Sequence, residues 1–378
     1  MCATPSGTGP NRCIRNPWGV SGKRSGRKKD FITQKNCNSL LKNVTPMKYA
    51  TPIKNAILAS VCLVACLPGM GCRQAAEPTG QAAETEKKPH VVFVIGDEEY
   101  RSEESMPMLA GILKRELDAE VTLCFSVDSS GVIDPNRLDH IQGLAALDSA
   151  DLMVLFTRFR ALPEAELAHI TRFAESGKPM VGFRTATHAF LYPDSTENAR
   201  MNNAWPARVF GQQWITHHGH FEDGNDPLTA VSLAEGVEHP ILTDVNAFQA
   251  YSWLYHVDGG DWELQGDAAP LLIGRSLRSK HEMDGRLDEF PLVNPVAWTK
   301  SYTGESGKTS RVFFTTLGHP YDFRNPNMRR LALNGIYWAL GLEVPEDMDV
   351  SYTQPYQPNN SGFGEVYKKG LLPEGQLP

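Results

Sequence analysis

Four short stretches of the chain are almost continuously apolar, and they limit most strongly what it can fold into. They are His90–Ile95, Asp151–Phe156, Pro179–Phe183 and Arg311–Leu317. A strand that is apolar on both faces must be covered on both faces, which is typical of parallel sheets flanked by helices. The sequence therefore predicts an α/β fold with a doubly wound, mainly parallel sheet.

Segments with helical spacing of apolar residues alternate with these strands, as such a fold requires. The first contains Met108, Leu109, Ile112, Leu113 and Leu117, and we expect Ser105 to cap it, with Pro107 in its first turn. The second spans Pro163–Ser176, and the third spans Met328–Leu340 and ends at Gly341. These helices are predicted to cover the two faces of the sheet.

The alternation of strand-like and helix-like segments ends between residues 193 and 310, which are rich in Gly, Pro, Asp and Trp. Short strand-like runs occur there at Thr229–Leu233, Leu271–Arg275 and Val296–Tyr302. They predict an elaborated, partly antiparallel second half of one domain over residues 89–344. Residues 345–378 are rich in Pro and Gly and are predicted to form an extended tail on the surface.

The first 88 residues have the pattern of an exported protein. Residues 1–46 are basic and are predicted to be a disordered or untranslated extension, with a second start at Met47. Residues 47–72 resemble a signal peptide with a lipobox, in which Cys66 or Cys72 would be acylated, and residues 73–88 resemble a linker. The sequence thus predicts a periplasmic or cell-envelope lipoprotein, attached to the membrane through its lipid. The alternative is a plain cleaved signal with incidental cysteines.

The rest of the chain is acidic, and the whole chain carries a formal net charge of -7. An acidic surface repels phosphate backbones, so we do not expect a nucleic-acid partner. Cys124 is the only cysteine beyond residue 72, so no disulfide can form within the folded domain. The sequence leaves a homodimer open.

Polar side chains follow four of the predicted strands, where an open parallel sheet binds its ligands. The loops span residues 96–104, 157–160, 184–188 and 318–324. We predict catalytic roles for Glu98, Glu99, His188 and His319, because carboxyl and imidazole groups can be tuned to exchange protons near neutral pH. We predict substrate binding by Tyr100, Arg101, Arg158, Arg184, Thr185, Tyr321 and Asp322.

The loop after Pro179–Phe183 lies where a nucleophile elbow would lie, in a strand–turn–helix segment. The position of the nucleophile is taken by Arg184, which cannot attack a carbonyl carbon, and Thr185 is a weak candidate. The sequence therefore argues against acyl-enzyme chemistry.

A histidine cluster, His217-His218-Gly219-His220, precedes Glu222 and Asp223. On a strand, His218 and His220 would share one face and could bind a divalent metal. The alternative is a polar loop whose histidines stack on Trp214. The sequence requires no cofactor, but it is compatible with a divalent metal.

The C-terminal part of the domain resembles the trehalose-utilisation (ThuA-like) family. The resemblance is carried by Gly318–Phe323, Arg329–Leu331 and Asn334–Ala339, with weaker matches at Pro295–Trp298, Glu238–Ile241 and Gly219-His220. It implies a flavodoxin-like fold of the class I glutamine amidotransferase type, without the amidotransferase triad. It also implies a role in the metabolism of disaccharides or keto-sugars.

Three functions are compatible with these residues. The first is an enzyme that acts on a disaccharide, glycoside or keto-sugar by acid–base chemistry, with a small carbohydrate as its partner. The second is a non-catalytic, lipid-tethered module that binds a glycan or assists another enzyme. The third is a metal-dependent hydrolase centred on His218 and His220.

Overall fold

The computed structural model describes residues 87–219, 223–258 and 263–377. Their strands are β1 His90–Gly96, β2 Glu120–Phe125, β3 Leu152–Thr157, β4 Met180–Phe183, β5 Gln213–His217, β6 Thr229–Leu233, β7 Phe248–Ala250, β8 Tyr255–Asp258, β9 Ala269–Ser276, β10 Val293–Thr303 and β11 Thr309–Thr315. Their α-helices are α1 Ser102–Leu117, α2 Glu164–Glu175, α3 Ala204–Phe210, α4 Lys280–Met283 and α5 Pro326–Leu340.

Nine strands form one sheet in the order β2-β1-β3-β4-β11-β10-β9-β6-β7. The first five are parallel, and the remaining four pair in antiparallel fashion. Strands β5 and β8 form a separate antiparallel pair. The predicted α/β fold is confirmed, including its partly antiparallel second half.

The side chains of β1 point alternately to the two faces of the sheet, and this explains why its sequence is apolar throughout. Val91, Phe93 and Ile95 pack into a core shared with α1 and α5. Val92 and Val94 pack into a second core, which contains residues of α2 and α3. Each strand of this kind therefore contributes to two hydrophobic layers at once, because successive side chains point to opposite faces.

Helix α1 begins earlier than predicted, at Ser102, and Pro107 lies inside it. The predicted cap at Ser105 was therefore wrong. The turn that starts the helix is made by Arg101, whose backbone is left-handed with φ of 52°. Helix α5 begins at Pro326, where the side chain of Asn325 accepts a hydrogen bond from the main-chain N–H of Asn327.

The tail beyond α5 contains neither helix nor strand in its described residues, 343–377. Two arginines of α5 hold its first part. Arg329 Nε donates to the Val350 carbonyl at 2.7 Å, and Arg330 Nη1 donates to that of Met348 at 3.2 Å. The tail then runs toward the carboxyl ends of the parallel strands, where it contacts the candidate site.

Residues 1–86, with Cys66 and Cys72, lie outside the described part of the chain. The predictions of a signal peptide, a lipid anchor and a linker therefore remain predictions. None of the described helices is long and apolar enough to cross a membrane.

Helix α5 approaches the sheet closely at Gly335, where an added Cβ would lie 2.2 Å from the ring of Phe313. Intrinsic helix propensity alone would make Gly335→Ala stabilising by about 1 kcal/mol. Because the core has no room, we expect Gly335→Ala to lower the free energy of unfolding by about 1–3 kcal/mol instead. Urea unfolding measures this, and the double variant with Phe313→Leu should recover part of the loss. A stabilised Gly335→Ala protein would contradict the packing described for α5.

Candidate functional site

The loops that follow β1, β3, β4 and β11 meet at one edge of the sheet, as predicted. Strand β2 lies on one side of β1, and β3 lies on the other. The order in which strands are added to the sheet therefore reverses between β1 and β3. Such a switch point is where open α/β sheets bind their ligands. Direct contacts join the loops: Glu98 pairs with Arg158 and Arg160, Asp97 with Thr185, and Arg184 with the Thr316 carbonyl.

Asp97 organises the first loop, and our sequence analysis missed it. Its Oδ1 accepts hydrogen bonds from the main-chain N–H groups of Glu99 and Tyr100, both at 2.7 Å. Its Oδ2 accepts one from the hydroxyl of Thr185. An aspartate directly after the glycine that ends a buried strand is a recognisable turn signal. Thr185, predicted to bind substrate, links two loops through this bond.

Glu98 is held between two arginines. Its carboxylate pairs with Arg158 Nη1 and lies 2.6 Å from Arg160 Nη2. Arg160 is fully buried and also donates to the carbonyl oxygens of Pro135 and Arg137. Both oxygens of the Glu98 carboxylate are thus bonded to guanidinium groups. Glu98, predicted as catalytic, is therefore better suited to hold the arginines in place.

Glu99 has a different environment, although it is the next residue. Its Oε2 lies 3.1 Å from Arg158 Nε. Burial raises the pKa of the Glu99 carboxyl to about 7; the charge of Arg158 opposes the shift, and that of Asp97 adds to it. A carboxyl group with this pKa can give or take a proton at neutral pH.

Arg184 lies at the elbow position and has the left-handed backbone expected of such a turn, with φ of 40°. Its buried guanidinium donates to the Tyr100 hydroxyl and to the Thr316 carbonyl, both at 2.9 Å. It also lies 4.0 Å from the Tyr100 ring centre and 4.4 Å from that of Tyr255. Its Nε has no hydrogen-bond partner among the described residues, which leaves a donor for an anionic oxygen.

His188 is buried among aromatic rings. Its ring centre lies 5.0 Å from that of Phe159, 5.2 Å from that of Trp214 and 6.1 Å from that of Tyr255. Burial lowers the pKa of His188 well below its ordinary value, and the charges of Arg158 and Arg184 lower it further. The imidazole is therefore neutral at physiological pH.

His319 is fixed at both ring nitrogens. Its Nδ1 accepts a hydrogen bond from the Tyr321 main-chain N–H at 3.1 Å. Its Nε2 lies 3.1 Å from Ser361 Oγ and 3.4 Å from Asp223 Oδ1, and the Ser361 hydroxyl bonds to Asp223. Serine and aspartate contact the same nitrogen, unlike in a catalytic triad, where they contact opposite nitrogens. The three side chains therefore do not have the arrangement of a Ser-His-Asp triad.

Two residues predicted to bind substrate have structural roles. Arg101 is fully buried and donates to the carbonyl oxygens of Glu98, Gly362 and Val366, so it joins the first loop to the tail. Asp322 accepts hydrogen bonds from the main-chain N–H groups of Tyr251, Ser252, Gly318 and His319. The Nη atoms of Arg101 and the carboxylate of Asp322 are thus bonded within the protein itself. Tyr321 is partly exposed, and its ring lies 3.6 Å from the Arg324 guanidinium.

The predicted metal site consists of His218, which the structure describes, and His220, which it does not. His218 is buried, its Nδ1 lies 2.7 Å from Ser279 Oγ, and burial lowers its pKa to about 4. His220 belongs to residues 220–222, which the structure does not describe. Within the described ranges, no three His, Cys, Asp or Glu side chains are grouped to hold a metal ion. The metal site stays a prediction.

Comparison with known proteins finds one matching family and several similar structures. The sequence model for trehalose utilisation, ThuA, matches residues 90–339. A ThuA-like protein from Bacteroides uniformis is 16% identical, with a TM-score of 0.44 over 69% of this chain and 95% of that one. One from Parabacteroides merdae is 17% identical, with a TM-score of 0.40 over 75% of this chain and 99% of that one. No curated protein sequence matches the chain.

The pKa of Glu99 predicts how stability depends on pH. Its folded-state pKa, about 7, lies above the ordinary 4.5, so folding favours the protonated form. This contribution to stability is complete below pH 4.5 and is lost as the pH rises through 7. We therefore expect Glu99→Gln to be more stable than the wild type by up to about 3 kcal/mol at pH 8.5, with little difference at pH 4.5.

Urea unfolding across this pH range measures the difference. Glu120→Gln, at an exposed position of β2, is the matched control and should follow the wild type throughout. Parallel curves for the wild type and Glu99→Gln would show that Glu99 ionises normally.

Proposed function

The chain belongs to the trehalose-utilisation (ThuA) family, which supports a carbohydrate-related role, and we propose that it is an enzyme that transfers protons on a keto-sugar. One observation carries the proposal. A carboxyl group with a pKa of about 7, that of Glu99, and the neutral imidazole of His188 are both within the influence of Arg158 and Arg184. A glutamate base combined with a neutral imidazole suits proton transfer next to a carbonyl group.

In this proposal each group has a separate task. The Glu99 carboxylate takes a proton from the carbon next to the sugar carbonyl, and negative charge develops on the carbonyl oxygen. Arg184, with its unpaired Nε, and Arg158 stabilise that charge in a buried environment, where such interactions are strong. His188 donates a hydrogen bond to the substrate or returns a proton to it. The rings of Trp214 and Tyr255 exclude water from this face.

Cleavage of a glycosidic bond by two carboxyl groups is less well supported. That reaction needs one carboxylic acid and a second, free carboxylate on the other side of the bond. The carboxylate of Glu98, the residue before Glu99, is paired with both Arg158 and Arg160. Proton transfer on a keto-sugar needs only one carboxyl group of tuned pKa.

The second candidate is a non-catalytic glycan-binding module. It is favoured by the aromatic rings of Phe159, Trp214 and Tyr255 around His188, because aromatic side chains offer flat apolar surfaces to sugar rings. With either function, export and lipid attachment through Cys66 or Cys72 would place the protein at the cell envelope.

Turnover of disaccharides and their keto derivatives by the purified protein tests the proposal. We expect Glu99→Gln to lower kcat/KM by about 100-fold or more, as the loss of a general base does, and His188→Gln by about 10-fold or more. Glu120→Gln should have wild-type activity. Activity should rise with pH around an apparent pKa near 7, because Glu99 must be ionised to act as a base.

Three results would count against the proposal. Full activity of Glu99→Gln would remove Glu99 from the mechanism. Calorimetric binding of the same sugars without turnover would favour the binding module. Activity that disappears on chelation and returns with a divalent metal would favour the hydrolase centred on His218 and His220.

A further inference from the structure

A segment of the C-terminal tail, residues 360–366, contacts the loops of the candidate site; we call it the strap. The Gly362 N–H donates to the Glu99 carbonyl at 2.8 Å, and Arg101 donates to the Gly362 carbonyl at 3.0 Å. The Ser361 hydroxyl bonds to Asp223, and the Asn136 side chain donates to the Gly364 carbonyl at 3.0 Å. The strap thus meets the same loop that carries Glu98 and Glu99.

Polar contacts, and not hydrophobic burial, hold the strap in place. Its two large apolar side chains, Phe363 and Val366, remain 56% and 42% exposed. Arg101 is the main anchor, since it also donates to the Val366 carbonyl. Its left-handed backbone is unfavourable for a residue other than glycine. Arg101 is buried and strained, and it bonds to a tail at the surface. This indicates that the position of the strap matters to the site.

Phe363 is the strap residue that reaches the charged groups. The Arg158 guanidinium carbon lies 5.0 Å from the centre of the Phe363 ring and 4.3 Å from that of the Phe159 ring. A guanidinium group is attracted to the face of an aromatic ring, most strongly where little water reaches it. Arg158 is the one residue that pairs with both Glu98 and Glu99 in the described part of the chain.

We propose that Phe363 is a positioning residue of the site, delivered by the C-terminal tail, which holds the Arg158 guanidinium against Glu98 and Glu99. An arginine side chain has several rotatable bonds, and the Phe159 and Phe363 rings restrict them. With the Phe363 ring in place, Arg158 meets the substrate oxygen in one fixed orientation. The role in turnover rests on the proposed function, whereas the effect on Arg158 can be measured without substrate.

Three substitutions distinguish the effect of the aromatic ring from the effect of side-chain volume. Phe363→Tyr keeps the ring, Phe363→Leu keeps apolar bulk without it, and Phe363→Ala removes both. We expect Phe363→Leu and Phe363→Ala to lower kcat by about twofold to fivefold with little change in KM, because a cation–π contact with a partly exposed ring is of that strength. Phe363→Tyr should stay near the wild-type value. Leu372→Ala, at an exposed tail position outside the strap, is the matched control.

Nitrogen-15 NMR of the arginine side chains supplies the measurement without substrate, with Arg158→Lys to assign the signal. Hydrogen exchange at Arg158 Nε–H should be several times faster in Phe363→Leu and Phe363→Ala than in the wild type, Phe363→Tyr or Leu372→Ala. Phe363 is exposed, so these variants should fold, and thermal unfolding checks this.

Equal exchange rates in Phe363→Leu and Phe363→Tyr would overturn the proposal, because apolar cover alone would then suffice. Wild-type exchange in all three Phe363 variants would overturn it as well. If the wild type turns over no sugar, the proposed function fails while the exchange rates still decide whether Phe363 positions Arg158.

Discussion

The candidate site depends on a balance of buried charge at the carboxyl ends of the parallel strands. Glu98 lies between Arg158 and Arg160, and Arg160 is fully buried. Moving such groups out of water costs on the order of several kcal/mol per ion, which only close opposite charges and hydrogen bonds can offset. Glu98 therefore stabilises both arginines, and none of the three groups could be buried alone. Because they come from the loops after β1 and β3, their pairing also fixes how those loops face each other across the switch point.

This balance gives two neighbouring glutamates different chemistry. Glu98 pairs with two arginines, whereas Glu99 pairs with Arg158 alone, and burial is the main cause of its raised pKa. Residues 98–101 form a turn, in which neighbouring side chains point in different directions, so one residue of separation is enough to change the environment. Arg158 contacts both glutamates. It neutralises Glu98, and its charge limits how far burial can raise the pKa of Glu99. Burial lowers the pKa of His188, and the charge of Arg158 lowers it further. Burial and the arginine cluster together therefore set the protonation states of Glu99 and His188, on which any acid–base function would depend.

The fold was predictable because its strands are apolar on both faces, and that pattern has few structural solutions. The same logic correctly placed four polar loops at one edge. It could not separate side chains that face a ligand from those that bind their own loops. Arg101 and Asp322 looked suited to substrate, yet the Nη atoms of Arg101 and the carboxylate of Asp322 bond to main-chain groups. Sequence position also says nothing about where a tail without helices or strands returns to the domain, so Ser361 and Phe363 gave no signal. Asp97 did give one, as a turn-forming aspartate directly after Gly96.

Arg184 shows how this fold can keep a backbone arrangement and change its chemistry. A left-handed residue between a buried strand and a helical turn costs about 1–3 kcal/mol for any residue other than glycine. In an acyl-transfer enzyme that strain exposes a nucleophile. Here it directs a guanidinium between the rings of Tyr100 and Tyr255, where it also bonds to the Tyr100 hydroxyl. The turn thus presents a fixed positive charge in place of a reactive oxygen or sulfur. Such a charge cannot form a covalent intermediate, but it can stabilise a substrate oxyanion that a neighbouring base has generated. The backbone strain at this turn is therefore compatible with proton transfer as well as with acyl transfer, and the side chain decides between them.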